Sequence, residues 1–190
     1  MKSKRNGVAG AAYAMALLLA LTAGTANAAL ISRLGGAAAY DDVLDITWIT
    51  NAGLSGLNTW GNQVAWADNL DTLGYNDWRL ASINELAHMY TTNLGGTGGA
   101  NKTGNQTSVD GVTFTNIQSR VWSGTEFDSG IAWSFFFDDG GQGDVSKNGR
   151  NAGWAVRSGD VGAAVPEPSV ALLLASGLFG LMVTRRQRRR

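Results

Sequence analysis

Five carboxylates lie on Gly-rich stretches in the second half of the chain: Glu126, Asp128, Asp138, Asp139 and Asp144. Hard oxygen ligands on such loops suit calcium, and the run from Asp138 through Asp139 to Asp144 is long enough to wrap an ion. Asp138, Asp139 and Asp144 are therefore candidate metal ligands, with calcium the one cofactor considered. Their spacing fits neither an EF-hand nor a nonapeptide repeat, and solvated turn carboxylates are the competing reading. Amides supply a second chemistry. Asn101 and Asn105 stand in a polar, Gly-rich stretch over residues 93–111, where side-chain donors and acceptors suit sugar hydroxyls. Indoles supply a third, since an exposed Trp is a platform for a sugar ring and also a large apolar body for a core. Of the seven Trp, Trp48, Trp78, Trp122, Trp133 and Trp154 sit at alternating or motif positions and are expected in the core, as is Trp60. Trp66, at the edge of a helical face, is the one left for a ligand. The candidate binding set is Trp66, Asn101, Asn105, Glu126 and Asp128.

Catalytic chemistry finds less to work with. His88 is the only histidine; it falls on the polar face of a helix and no nucleophile is placed beside it by the sequence. A surface position is expected. Cysteine is absent, which removes thiol redox chemistry and Cys-type zinc sites. Arg79 and Arg157 could bind a carboxylate ligand, but are expected to pair with nearby Asp residues and fix the turn and the last strand. The expectation is a protein that is not an enzyme.

The elements that position these residues read as an α+β domain. Leu44, Ile46 and Trp48 alternate with Asp45 and Thr47, the pattern of a half-buried strand. Asn58 or Thr59 can cap a helix running to about Leu70, with Trp60, Val64, Ala67 and Leu70 on one face. Gly74 and Asn76-Asp77 turn the chain before Trp78. Ser82 and Glu85 form a Ser-x-x-Glu capping box, opening a helix that buries Ile83, Leu86, Ala87 and Tyr90. Residues 93–111 lack apolar residues for a core and are expected to form a long mobile loop. After it, short β-rich runs around Phe114, Trp122, Phe135 and Trp154 suggest an antiparallel sheet of hairpins. Phe136 then needs cover on the second face.

Both ends read as appendages. Lys2, Lys4 and Arg5 precede an apolar run, and Ala26-Asn27-Ala28 is an A-x-A site, so residues 1–28 read as a secretory signal peptide. Residues 29–39 read as a lead-in segment. Residues 170–183 form an apolar run of about 21 Å as a helix, short of the roughly 30 Å hydrocarbon core, and Arg185 to Arg190 follow it. By the positive-inside rule that end stays cytoplasmic and the domain outside. Without the two ends, 7 basic residues face 14 acidic ones. The exported part is acidic, so no footprint for nucleic acid remains, and a polyanionic partner meets repulsion.

Five segments carry a resemblance. Trp78-Arg79-Leu80-Ala81-Ser82 followed by Glu85-Leu86 resembles the Trp-Arg-Leu-Pro-Thr-x-x-Glu-Leu signature of the Lcl C-terminal domain family, with Ala81 where that family usually has Pro. Tyr40 to Trp48 resembles its opening strand, Val121-Trp122-Ser123-Gly124-Thr125 its Trp-Ser-Ser-Thr element and Gly153 to Arg157 its closing strand. The resemblance implies a C-type-lectin-like domain over residues 40–160, with two helices, an antiparallel sheet and first and last strands side by side. Val165-Pro166-Glu167-Pro168, the short apolar run and the terminal Arg cluster resemble the PEP-CTERM sorting signal over residues 161–190. That resemblance implies an exosortase as partner, transient residence in the inner membrane through residues 170–183, and delivery to the cell surface or the exopolysaccharide matrix. The function expected is a non-catalytic surface or matrix protein with weak polysaccharide binding. Its alternatives are a purely structural surface protein and a calcium-dependent, lectin-like adhesin.

Overall fold

The strand marked by the alternation of Ile46 and Trp48 is buried on both faces. All four residues of the strand Ile46–Ile49 are buried, where the alternation predicts one wet side. Thr47 is tolerated inside because its hydroxyl donates to the Gly159 carbonyl at 2.7 Å, which satisfies the group that burial would otherwise strand. A computed structural model describes residues 29–162, and twelve strands and two helices lie within them.

Numbered along the chain, the first sheet holds β1 (Leu30–Arg33), β2 (Ala38–Asp41), β3 (Ile46–Ile49), β12 (Ala155–Ser158) and β5 (Arg79–Leu80), in that spatial order. The closure expected between first and last strands is present: β3 and β12 run antiparallel with Trp48 opposite Val156. The segment 29–39 is not a lead-in but the edge of this sheet. Leu30, Ala38 and Ala39 are buried, and Ala39 lies opposite Trp48. A small side chain there is what lets a neighbouring indole fill the space, so the low apolar content that suggests a linker is a packing choice.

The second sheet runs β10 (Gln142–Ser146), β9 (Ile131–Phe136), β8 (Arg120–Glu126), β11 (Asn151–Gly153) and β4 (Leu57–Asn58). Its pairs are antiparallel except β8 and β11, which run parallel with Val121 beside Ala152. Two helices complete the α+β architecture. The first, α1 (Trp60–Asp68), buries Ala67 and Gln63. The second, α2 (Ile83–His88), passes directly into a π turn at Met89–Asn93. No helix among the described residues is long and apolar enough to cross a membrane. The signal helix and the C-terminal apolar helix expected from the sequence lie outside the described residues.

Aromatic rings fill the space between the sheets. Trp154 has Trp48, Phe114 and Phe137 around it at 5.1–5.6 Å between ring centres, in the tilted and edge-on arrangements that ring quadrupoles favour. Its indole nitrogen donates to the Ile49 carbonyl at 2.8 Å. Trp48, Trp78 and Trp122 are buried as expected, but Trp133 is only half-buried.

The stretch 93–111 is a correction of a different kind. Asn93, Leu94, Gly96 and Ser108 are buried, and β6 (Gly104–Thr107) forms a hairpin with β7 (Thr113–Ile117). The Tyr90 hydroxyl lies 2.8 Å from the Thr97 carbonyl and 2.6 Å from that of Ala100. Apart from Leu94, which enters the core, backbone groups rather than apolar side chains hold this segment down, so hydrophobic patterning does not reveal it.

Candidate functional site

The family-like motifs meet in space. Ser82 Oγ accepts from the Glu85 amide at 3.3 Å, and Glu85 Oε2 accepts from the Ser82 amide at 2.7 Å, completing the capping box at the start of α2. Arg79 grips the same carboxylate with two bonds of 2.8 and 2.7 Å. Burial pushes the Glu85 carboxyl up, but the bonds from Arg79 and Ser82 outweigh it and hold the group below its ordinary range. Across from this turn, β8 bulges between Trp122 and Glu126. The Gly124 amide donates to the Ala81 carbonyl at 2.8 Å, and the Ile83 amide donates to Thr125 Oγ1 at 3.1 Å. A Cβ at Gly124 would sit 3.1 Å from the Leu80 carbonyl oxygen. The closing strand joins the same knot through Leu80 opposite Ala155 and the Ala81 amide on the Trp154 carbonyl at 3.0 Å. The Arg79, Ser82, Glu85 and Thr125 side chains all have protein partners in this knot.

The charged residues expected to brace it do so, with one change of partner. Arg157 pairs with Asp77 at 2.7 and 2.8 Å and lies over the Tyr75 ring, and hydrogen bonding from Arg157 holds the Asp77 carboxyl low. Arg79 pairs with a glutamate rather than an Asp.

The candidate binding residues divide. Asn101 Oδ1 accepts from Thr103 N and Oγ1 at 2.9 and 2.7 Å, and Asn105 Oδ1 accepts from the Asn116 amide at 3.1 Å. These acceptors already serve the fold. Trp66 is half-buried and packs against two core clusters, one of Ala67, Leu80, Trp122 and Ala132, the other of Ile49, Trp78 and Ala155. It is a wedge between two core clusters.

Glu126 and Asp128 belong to a more open region, where β8 turns into β9. Lys147 reaches across to Glu126, to the Asp128 carbonyl at 2.6 Å and to the Ser129 carbonyl at 3.2 Å, and its ammonium stands 4.6 Å from the Trp60 ring centre. Asp128 Oδ1 accepts from the Gly130 amide at 2.7 Å, closing the turn. Between them Phe127 is 55% exposed and meets Trp133 edge-on at 5.6 Å. Sequence reasoning marks the carboxylates of this turn and misses Phe127; an aromatic residue flanked by Glu126 and Asp128 is the signal that reveals it.

Residues 37–157 match the model of a family described as the Lcl C-terminal domain. The chain belongs to that family. No curated protein sequence matches it. Within the Lcl C-terminal domain the match begins after β1, so that edge strand is an addition to the matched region. Family membership is compatible with a surface or secreted protein.

The candidate metal ligands are not assembled. Asp138 accepts from Ser119 Oγ at 2.9 Å, Asp139 closes its own turn by accepting from the Gly141 amide at 2.7 Å, and Asp144 stands along β10 opposite Trp133. Among the described residues no group of three or more His, Cys, Asp or Glu side chains is placed to hold an ion. Asp139 is committed to its own turn and Asp138 to Ser119, while Asp144 stands on a separate strand, so the three do not converge. His88 is also corrected. It is half-buried because Asp41, the last residue of β2, lies against it, with Nε2 3.3 Å from Asp41 Oδ2. The sorting residues Val165, Pro166, Glu167 and Pro168 lie outside the described residues.

Proposed function

We propose that this Lcl C-terminal domain is an exported, non-catalytic surface or matrix module that holds a neutral polysaccharide weakly through the turn between β8 and β9. The observation that carries the reading is the Phe127–Trp133 pair: a large ring left more than half in water, propped on a second ring. Such a pair presents an apolar face to the C–H side of a sugar, and the carboxylates and carbonyls around it accept from hydroxyls. The acidic balance of the exported part turns strongly anionic polymers away. Weakness is expected because one ring pair offers little area, so many copies on a surface act together. Support for a C-type-lectin-like fold comes from the adjacency of β3 and β12 and from the two-helix, antiparallel layout. Export and exosortase sorting rest on the terminal sequence patterns. In this reading the tail is cut near Pro166-Glu167-Pro168, and mass spectrometry finding Arg190 on the exported protein overturns that step.

A purely structural role is the second reading, favoured by the internal use of the Asn101 and Asn105 acceptors. Retention of the exported protein on the host's own exopolysaccharide separates the two. Binding that Phe127→Ala abolishes without loss of folding supports the first; a parent protein that is not retained supports the second.

A further inference from the structure

At the opposite end of β8 from that turn, a second feature has no part in the aromatic surface. The parallel pairing of β8 with β11 starts both strands at the same edge of the sheet. This sets Ser119 and Arg120 beside Arg150 and Asn151. With Leu57 and Gln118 they line an open cleft of about 220 Å³.

Charge makes this cleft unusual in its surroundings. Arg33, Arg79, Lys147 and Arg157 are each paired with a carboxylate. Among the described residues the basic side chains outside those pairs are Lys102, Arg120 and Arg150, and two of the three line one cleft. Neutral contacts hold both guanidinium groups. Arg120 lies 4.7 Å from the Phe136 ring centre, which also provides the cover that Phe136 requires, and Arg150 donates to the Leu57 carbonyl at 2.9 Å. A guanidinium has five donors, so each keeps donors for an incoming group. Beside them Leu57 is 51% exposed, an apolar wall next to two cations. One carboxylate borders the site, Asp138, through its bond from Ser119 Oγ.

We infer that this cleft binds a single carboxylate carried on a sugar, a hexuronate unit of a sparsely charged polysaccharide. The planar fork of Arg matches a carboxylate with two parallel bonds, and Leu57 offers the apolar contact a pyranose face needs. The volume lies below the roughly 300 Å³ at which ligand pockets usually begin, so the acidic end of one sugar fits and an extended ligand does not. The surrounding acidic surface sets the second limit: a polymer charged at every unit meets the remaining carboxylates, whereas an isolated acid meets the two arginines. The site stands independently of the Phe127 surface.

The test is calorimetric titration of the full chain, purified in mild detergent, with an aldobiouronate, one glucuronate joined to one galactose, and with the corresponding neutral disaccharide, acetate and inorganic sulfate as comparisons. The aldobiouronate is expected to bind saturably and the neutral disaccharide, acetate and sulfate at least tenfold more weakly. Arg120→Gln and Arg150→Gln are each expected to weaken the aldobiouronate about tenfold, as loss of a charge-assisted contact does. Lys102→Gln removes the same charge away from the cleft and is expected to change affinity less than twofold. Asp138→Asn is expected to tighten binding, and Phe127→Ala to leave it unchanged. If Arg150→Gln disturbs folding through its bond to Leu57, Arg120→Gln decides alone. Absence of saturable binding, equal binding of sulfate or acetate, or equal loss in Lys102→Gln overturns the assignment.

Discussion

The knot of signature residues and the turn around Phe127 are joined by one strand, β8, and they differ in every physical respect. In the knot Ser82, Glu85, Arg79 and Thr125 all have protein partners and the surrounding backbone is paired. At the turn a ring projects into water. The residues that make the family legible are thus the ones that fix its geometry, and the surface proposed for a ligand is left to positions that the signature does not cover. Fold and function are separable here.

The sharpest way to break that contrast is at the centre of the core. Trp154→Ala removes a fully buried indole that touches three other rings and donates to Ile49. A loss of about 3–5 kcal/mol is expected, measured by denaturant titration, and a loss below about 1 kcal/mol shows that the rings do not form one packed unit. Next in size is Gly96→Ala. An added Cβ would lie 2.6 Å from the Tyr90 ring and 2.7 Å from its carbonyl oxygen. Overpacking of this kind costs about 1–3 kcal/mol, and an unchanged midpoint places residues 93–111 back among the loose loops.

The capping box gives a smaller effect and a pH signature. Ser82→Ala is expected to cost about 1 kcal/mol. Glu85 has a folded pKa below its unfolded value, so its contribution is fully present above the unfolded value of about 4.3 and is lost as pH falls through the folded one. Thermal melts from pH 7 downward should therefore show parent and Glu85→Gln converging in acid. Parallel curves across that range contradict the pairing.

What the sequence made legible follows the same division. The capping box and the turn at Gly74, whose φ is +83°, are local patterns with local causes and form as read, whereas the alternating strand begins only at Ile46, after a turn at Leu44 and Asp45, and is buried on both faces. The missed elements have causes outside their own residues. Ala38 and Ala39 become strand because Trp48 requires a small neighbour. Gly104 to Thr107 becomes strand because β7 offers it backbone partners. The candidate site is legible in part: the charge of Glu126 and Asp128 marks the turn, the exposure of Phe127 depends on what packs around it, and loop composition at Asp138, Asp139 and Asp144 says nothing about where carboxylates point.

The smallest stability effect belongs to the residue with the largest expected functional one. Phe127 is more than half in water and its one ring partner is Trp133, so Phe127→Ala should move stability by no more than about 0.5 kcal/mol, as surface substitutions do. The ring covers part of Trp133, which remains in place because β9 holds it between β8 and β10. Retention on the host polysaccharide should nevertheless fall to background. The paired measurement is what discriminates: a melt within a degree or two of the parent together with full retention removes the turn as a binding surface, and a loss of stability above about 1 kcal/mol shows that Phe127 belongs to the scaffold with the knot rather than in contrast to it.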